Sequence, residues 1–166
     1  MSCGRKDFDT GNCVCDAVLA ISEAQDAVEK KGSCANSCFT NLLKPNGRFN
    51  DTIPFMLKGK TGELFWATGG LTADFPDVFE TVFFRVENIC EKSCCATLSL
   101  LRPTGDILFT QSCCVDPTSL SDVVSLERTN CCIEVDLSCF CAIQCLDPGL
   151  VDNYRDNSTS TWHLRY

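Results

Sequence analysis

Apolar residues near the N-terminus recur at the three- and four-residue steps of an amphipathic helix. In NCVCDAVLAISEAQDAVEKKG they are Val14, Val18, Ile21 and Val28. Asn12 precedes this stripe and is suited to cap a helix, and the segment ends in two lysines and a glycine, as helices commonly do. We predict a helix over about residues 13–31. Its apolar face either packs on its own domain or docks on a neighbouring subunit.

After residue 52 the pattern changes to short β-type runs. They are IPFML, ELFWAT, TVFFRVEN, CCATLSLL, DILFTQ, VVSLER and CCIEVDLSCFCAIQCL, separated by Gly, Pro, Asp and Asn. Because no helical segment lies between these runs, we predict a mainly β fold, an antiparallel β-sandwich or barrel-like domain.

Three parts follow along the chain. Residues 1–12 are polar and are predicted to form an N-terminal arm. Residues 13–151 form a single β-sandwich-like domain that begins with the helix. Residues 152–166 show no period and are predicted to form a mobile C-terminal tail.

The last run alternates in polarity as a strand does. One parity holds Cys131, Ile133, Val135, Leu137, Cys139, Cys141, Ile143 and Cys145. The other parity begins with Cys132, Glu134, Asp136 and Ser138. Because side chains on a strand alternate between faces, the first set is predicted to line a core. Cys139, Cys141 and Cys145 are therefore predicted to be core cysteines.

Composition changes this picture because 15 of the 166 residues are cysteine. Such usage is typical of disulfide-stabilised proteins in an oxidising environment, and an odd count leaves one thiol unpaired or bonded to another chain. Yet the N-terminus MSCGRKDFDTGNCVCD lacks the apolar region and cleavage site of a secretory signal. We therefore expect synthesis in a reducing cytosol and oxidation later, in another environment.

Charge excludes two classes of partner. The formal net charge is −8 at pH 7, and Lys and Arg form no cluster interleaved with aromatic residues. A chain this acidic is poorly suited to phosphate backbones or anionic membranes, and it has no apolar run long enough to span a bilayer. We expect neither nucleic acid nor a membrane as a partner.

Besides bonds between chains, three other uses of the thiols are open: a zinc site, a catalytic thiol and disulfides within the chain. Zinc ligands usually come in closely spaced pairs, and the chain has three-residue gaps at Cys34/Cys38, Cys90/Cys94 and Cys141/Cys145, but no nearby histidine. A catalytic thiol needs a base, and the one histidine, His163, lies in the predicted tail. A purely intramolecular disulfide scaffold leaves the odd thiol unexplained. We predict no catalytic, cofactor-binding or metal-binding residues, and no cofactor.

Adjacent cysteines favour bonds between chains. They occur at Cys94–Cys95, Cys113–Cys114 and Cys131–Cys132. On a strand one member of each pair faces outward, which core packing does not explain but a bond to another molecule does. We therefore predict that copies pack first and that oxidation then locks them together. The candidates for intermolecular disulfides are Cys3, Cys13, Cys15, Cys34, Cys38, Cys94, Cys114 and Cys132.

Several blocks of the sequence also carry a resemblance. The blocks are NCVCDAV, CFTNLL, DTIPFML, FFRVE, CCATLSLLRP and LERTNCCIEVDLSCFCAIQCL, between about residues 12 and 152. They resemble the CotY/CotZ family of endospore coat proteins, which includes the exosporium protein ExsY. The segment CIEVDLSCFCAIQCL is the most specific of them.

The resemblance implies a structural, non-enzymatic role. Such proteins are made in the mother-cell cytoplasm and deposited on the spore surface, in the crust, the outer coat or the exosporium basal layer. They form hexamers that extend into two-dimensional sheets cross-linked through cysteine, beside other spore coat proteins. The tail NSTSTWHLRY departs from the histidine-rich ends of some relatives. The alternative is an adaptor that forms no lattice and docks other coat proteins through the helix face around Val14–Val28.

Overall fold

A computed structural model of the chain describes residues 10–31, 51–71, 77–110 and 114–152. Within them the elements are α1 Cys13–Lys31, β1 Phe55–Gly59, β2 Ala67–Gly69, β3 Phe79–Thr81, β4 Phe84–Cys90, β5 Cys95–Pro103, β6 Leu126–Asp136, β7 Phe140–Cys145 and β8 Val151–Asp152. The prediction of a mainly β fold with an N-terminal helix is confirmed. Residues 1–9 of the predicted arm and 153–166 of the predicted tail lie outside the described residues.

Helix α1 spans the residues that the sequence predicted, and Asn12 caps it. The Asn12 side-chain oxygen accepts hydrogen bonds from the backbone N–H groups of Val14, at 2.9 Å, and Cys15, at 3.1 Å. Asp16 in the first turn accepts a hydrogen bond of 2.6 Å from the Thr10 hydroxyl. The two bonds to Asn12 satisfy N–H groups that have no partner inside a helix and fix where the helix starts.

The strands form a six-stranded sheet in the order β7-β1-β4-β5-β6-β8, and β2 and β3 form a separate pair. Neighbouring strands are antiparallel except β6 and β8, which are parallel. The predicted run DILFTQ contributes an isolated bridge from Phe109 to Val115. The predicted run VVSLER joins the next run, because β6 extends without a break from Leu126 to Asp136.

The last predicted strand is two strands, because a 3₁₀ turn at Leu137–Cys139 divides it into β6 and β7. These two strands are four positions apart in the sheet. In a flat sheet that separation would be about 19 Å, at about 4.8 Å per strand. The chain from Asp136 to Phe140 reaches at most about 14 Å. The sheet must therefore curl so that β7 approaches the end of β6.

Helix α1 packs into the concave side of this curled sheet, against β4, β7 and the 3₁₀ turn. Its buried residues share one core with apolar side chains of β1, β4 and β5. In this core Val14 is 3% exposed, Val18 0% and Ile21 6%. The helix face that the adaptor alternative requires is therefore buried against its own sheet. Of the two positions predicted for this face, the structure shows packing within the chain and not docking on a neighbouring subunit.

A second apolar core lies apart from the first. Its buried residues are Met56, Val82, Phe83, Leu101, Ile107, Val115, Leu126 and Val151. Met56 and Leu57 follow each other on β1 and belong to different cores, as alternation on a strand requires. Both sides of the sheet at β1 are therefore covered within one chain. Among the described residues, no helix is both long and apolar enough to cross a membrane.

Gln25 occupies the gap where β1 and β4 separate. Phe55 and Phe84 are paired across these strands, so Ile53 and Val86 would be the next partners in the same register. Instead, Gln25 Nε2 donates to the Val86 carbonyl at 2.8 Å, and the Ile53 N–H donates to Gln25 Oε1 at 3.1 Å. The side-chain amide thus replaces a direct contact between the strands and binds the helix to both of them.

Replacing Gln25 with methionine, which has similar length, tests this role. Both backbone groups then lose their partner in a buried setting, so we expect the free energy of unfolding to fall by about 2 kcal/mol or more. Denaturant unfolding with the disulfide intact measures this change. Glu23→Met, at an exposed position on the same helix, should change it by less than about 0.5 kcal/mol. Equal losses in the two variants would contradict the role of the amide.

Asp136 caps the 3₁₀ turn that joins β6 to β7. Its Oδ1 atom accepts hydrogen bonds from the Ser138 hydroxyl, at 2.6 Å, and the Ser138 N–H, at 2.9 Å. These hydrogen bonds hold the pKa of Asp136 below its usual value. Such a carboxyl stabilises the fold above its unfolded pKa of about 3.9, and this contribution is lost as pH falls through the lower folded pKa.

Comparison with Asp136→Asn isolates this contribution. Asparagine keeps the accepting oxygen but cannot titrate, so the wild-type chain should be the more stable at neutral pH. The difference should shrink as pH falls from 6 towards 2, as measured by thermal unfolding at each pH. A difference that stays constant over this range would show that ionisation of Asp136 does not stabilise the turn.

Candidate functional site: the cysteine positions

One disulfide joins Cys15 to Cys94 within the chain, with their Cα atoms 5.7 Å apart. Cys15 lies in the first turn of α1 and is fully buried in the first core, and Cys94 packs against the same core. The bond spans 79 residues of sequence and connects the start of the helix to the β4–β5 hairpin. The prediction that Cys15 and Cys94 bond a neighbouring chain is therefore wrong in this structure, because the fold brings the two sulfur atoms together inside one molecule.

Cys94 is also where the hairpin meets the connection between β6 and β7. Its N–H donates to the Cys90 carbonyl at 2.8 Å, and its carbonyl accepts from the Leu137 N–H at 3.0 Å. Its φ is +55°, in the left-handed region that residues other than glycine seldom adopt. The disulfide thus holds together the helix, the hairpin turn and the turn at Leu137.

In the pairs Cys94–Cys95 and Cys131–Cys132, one cysteine faces the core and the other is exposed. In the first pair the exposed member is Cys95 and not, as predicted, Cys94. Cys95 is exposed and Cys94 faces the core, because Cys94 belongs to the turn and not to the strand. In the last pair Cys131 packs against the core and accepts a hydrogen bond of 3.2 Å from the Gly70 N–H, whereas Cys132 is exposed. The intermolecular role of Cys132 stays a prediction.

Cys139, Cys141 and Cys145 are exposed, so the prediction that they are core residues is wrong for the single chain. The 3₁₀ turn at Leu137–Cys139 interrupts the alternation on which that prediction relied. After the turn, Phe140 points inward instead, and its ring lies 5.1 Å from that of Phe65.

Two of the remaining candidates for intermolecular disulfides lie within the described residues, and three lie outside them. Cys13 is exposed at the first position of α1, and Cys114 is half-buried. Cys3, Cys34 and Cys38 lie outside the described residues. Across the described part of the chain, no three His, Cys, Asp or Glu side chains are placed to hold one metal ion.

Two exposed thiols have opposite electrostatic surroundings. Hydrogen bonds from the Ser93 side chain, and then from the backbone of Ser93 and Lys92, lower the pKa of Cys90. Partial burial, and then the nearby negative charge of Glu87, raise the pKa of Cys132. Because the thiolate is the reactive form, these shifts favour the reactive form at Cys90 and disfavour it at Cys132.

Sequence analysis selected neither Cys90 nor Cys95 as a site. A signal was present in ENICEKSCC, where two cysteines flank a polar four-residue turn. That spacing places Cys90 and Cys95 opposite each other once the hairpin forms, and they are paired in the structure.

Comparison with known proteins identifies the family of the chain. A family model described as Spore coat protein Z matches residues 1–148. The chain is also 40% identical over 148 residues to Spore coat protein Z of Bacillus subtilis (strain 168), which covers 86% of this chain and 94% of that protein. The chain belongs to the spore coat protein Z family. No solved structure matches it.

Membership in the spore coat protein Z family confirms the resemblance drawn from the sequence blocks. It also confirms the expected location of the chain, on the spore coat. The surface thiols and the buried Cys15–Cys94 disulfide are therefore features of a spore coat protein.

Loss of the Cys15–Cys94 bond should destabilise the chain. Cys94→Ser and Cys15→Ser each remove a cross-link that closes a 79-residue separation, for which we expect a loss of about 4 kcal/mol in unfolding free energy. Cys94→Gly removes the same bond but relieves the positive φ, so its loss should be smaller by about 1 kcal/mol. Denaturant unfolding compares the three variants. Equal stability of the glycine and serine variants at position 94 would show that the backbone conformation costs little.

Proposed function

We propose that the chain is a structural, non-enzymatic building block of the spore surface that assembles with copies of itself. Hexamers form first and extend into a two-dimensional sheet, and intermolecular disulfides then lock the sheet. Membership in the spore coat protein Z family supports the structural role. Other spore coat proteins are expected neighbours of this sheet.

The observation that carries the proposal is the distribution of the thiols. In the described residues, one pair is bonded at the core and most other cysteines lie at the surface. Burial in the core would explain free cysteines as small apolar residues, but exposure does not. The exposed, unbonded thiols outside the β4–β5 hairpin include Cys13, Cys132, Cys139 and Cys141.

Packing is expected to come before cross-linking because the apolar cores are already buried within one chain. Two apolar cores are buried within one chain, so the domain can fold before it meets a copy of itself. Surface thiols on dilute monomers meet rarely, whereas thiols on packed neighbours have a high effective concentration. Non-covalent packing therefore precedes cross-linking, and the disulfides add resistance to an existing array.

Electron microscopy of the purified full-length chain tests this order. We expect ordered sheets in the presence of a reductant, and the same sheets should become resistant to heat and detergent after oxidation. Sheets that dissolve at room temperature on addition of reductant alone would contradict the proposed order. A reduced and oxidised chain that stays monomeric would contradict assembly itself.

Paired variants test which thiols make the cross-links. Cys13→Ser/Cys132→Ser removes two exposed candidates, and we expect sheets that form normally but lose most of the covalent multimers seen on a non-reducing gel. Cys139→Ser/Cys141→Ser removes the same number of exposed thiols, from the 3₁₀ turn and β7, and serves as the matched control. If only the control loses its multimers, the cross-links involve Cys139 or Cys141 and not the selected positions.

A further inference from the structure

The tip of the β4–β5 hairpin carries two exposed cysteines that face each other. Cys90 and Cys95 are direct partners in the strand register, and both thiols are exposed and unbonded. Directly opposite residues have Cβ atoms about 4.5–5.5 Å apart, and a disulfide needs about 3.5–4.5 Å. A shift of about 1 Å at the end of a hairpin therefore suffices to join them.

Both sulfur atoms also approach one turn residue. The Cys95 sulfur lies 3.9 Å from the Ser93 carbonyl oxygen, and the Cys95 N–H donates to the Ser93 hydroxyl at 3.4 Å. The Ser93 hydroxyl and N–H groups hydrogen-bond to Cys90. The two thiols are thus gathered on the same side of the turn, over Ser93.

We propose that Cys90 and Cys95 form a cross-strand dithiol that peroxide oxidises to a disulfide within the chain, with Cys90 as the attacking thiol and Cys95 as the resolving thiol. This is a modification site separate from the buried Cys15–Cys94 bond and from cross-links between chains. It does not depend on the proposed lattice.

Hydrogen peroxide accepts the two electrons that the thiols lose when the disulfide forms. The Cys90 thiolate attacks one peroxide oxygen, the S–O bond forms as the O–O bond breaks, and the departing hydroxide takes a proton to become water. The Cys95 thiolate then attacks the sulfenic sulfur of Cys90, and a second water leaves as the S–S bond forms. Two thiols lose two electrons in total, and one peroxide becomes two waters.

The surroundings of Cys90 agree with its role as the attacking group. Hydrogen bonds from Ser93 and Lys92 stabilise its thiolate and lower its pKa. Lys92 also contributes a positive charge close to the sulfur. Cys132 is also exposed but has its pKa raised, so it provides an internal reference for reactivity.

Isotope mixing and peptide mapping test the proposal on the full-length chain. Equal amounts of ¹⁵N-labelled and unlabelled reduced chain are oxidised with hydrogen peroxide at low protein concentration and then digested with trypsin without reduction. Cleavage after Lys92 separates Cys90 from the peptide that holds both Cys94 and Cys95. A Cys90–Cys95 bond therefore links the Cys90 peptide to that peptide, which is itself linked to the Cys15 peptide through Cys94. Fragmentation of the linked peptides shows whether Cys90 is bonded to Cys95 or to Cys94. We expect linked peptides of one isotope only. Links of mixed isotope, or a Cys90 that remains a thiol, would overturn the proposal.

Trapping of the intermediate assigns the two roles. In Cys95→Ser the sulfenic acid at Cys90 has no resolving thiol, so dimedone should label Cys90. In Cys90→Ser we expect little label at Cys95. In the wild-type chain iodoacetamide should modify Cys90 at least about fivefold faster than Cys132 at pH 7. Label at Cys95 but not at Cys90, or a faster Cys132, would overturn the assignment of Cys90 as the attacking thiol.

Discussion

The short connection between β6 and β7 determines the shape of the molecule. These strands are four positions apart in the sheet, yet only the turn Leu137–Cys139 separates them in the chain. The sheet can meet this limit only by curling, and a curled sheet leaves a concave side that must be filled. Helix α1 fills it, and Gln25 supplies the hydrogen bonds that β1 and β4 cannot give each other where they separate.

The buried disulfide lies where these constraints meet. It ties the first turn of α1 to Cys94, whose carbonyl in turn accepts from the N–H of Leu137. A single covalent bond therefore links the element that fills the curled sheet, the hairpin and the connection that curls it. The bond is enclosed in the core, so it belongs to the fold of one chain, whereas the exposed thiols remain available for chemistry outside it.

Local electrostatics give chemically identical side chains different reactivity. Cys90 and Cys132 are both exposed, but turn hydrogen bonds stabilise the thiolate of the first, and burial and neighbouring acidic groups oppose that of the second. A coat protein with 15 cysteines need not oxidise them all alike. At Cys90, the position beside the hairpin turn favours the thiolate, which is the reactive form of cysteine.

The sequence by itself determined the elements whose signals are local. Helix α1 with its Asn12 cap, the mainly β character of the rest and the membership of the spore coat protein Z family could all be predicted, because residue spacing, helix capping and short sequence blocks are properties of local stretches. Whether each cysteine is buried, exposed or bonded could not be predicted from such local signals. Alternation correctly placed Val135 and Leu137 inside, but it failed for Cys139 because a turn between strands breaks the period. Cys15 and Cys94, 79 residues apart, became partners only through the packing of the helix on the sheet, since disulfide pairing depends on distances that the tertiary structure alone decides.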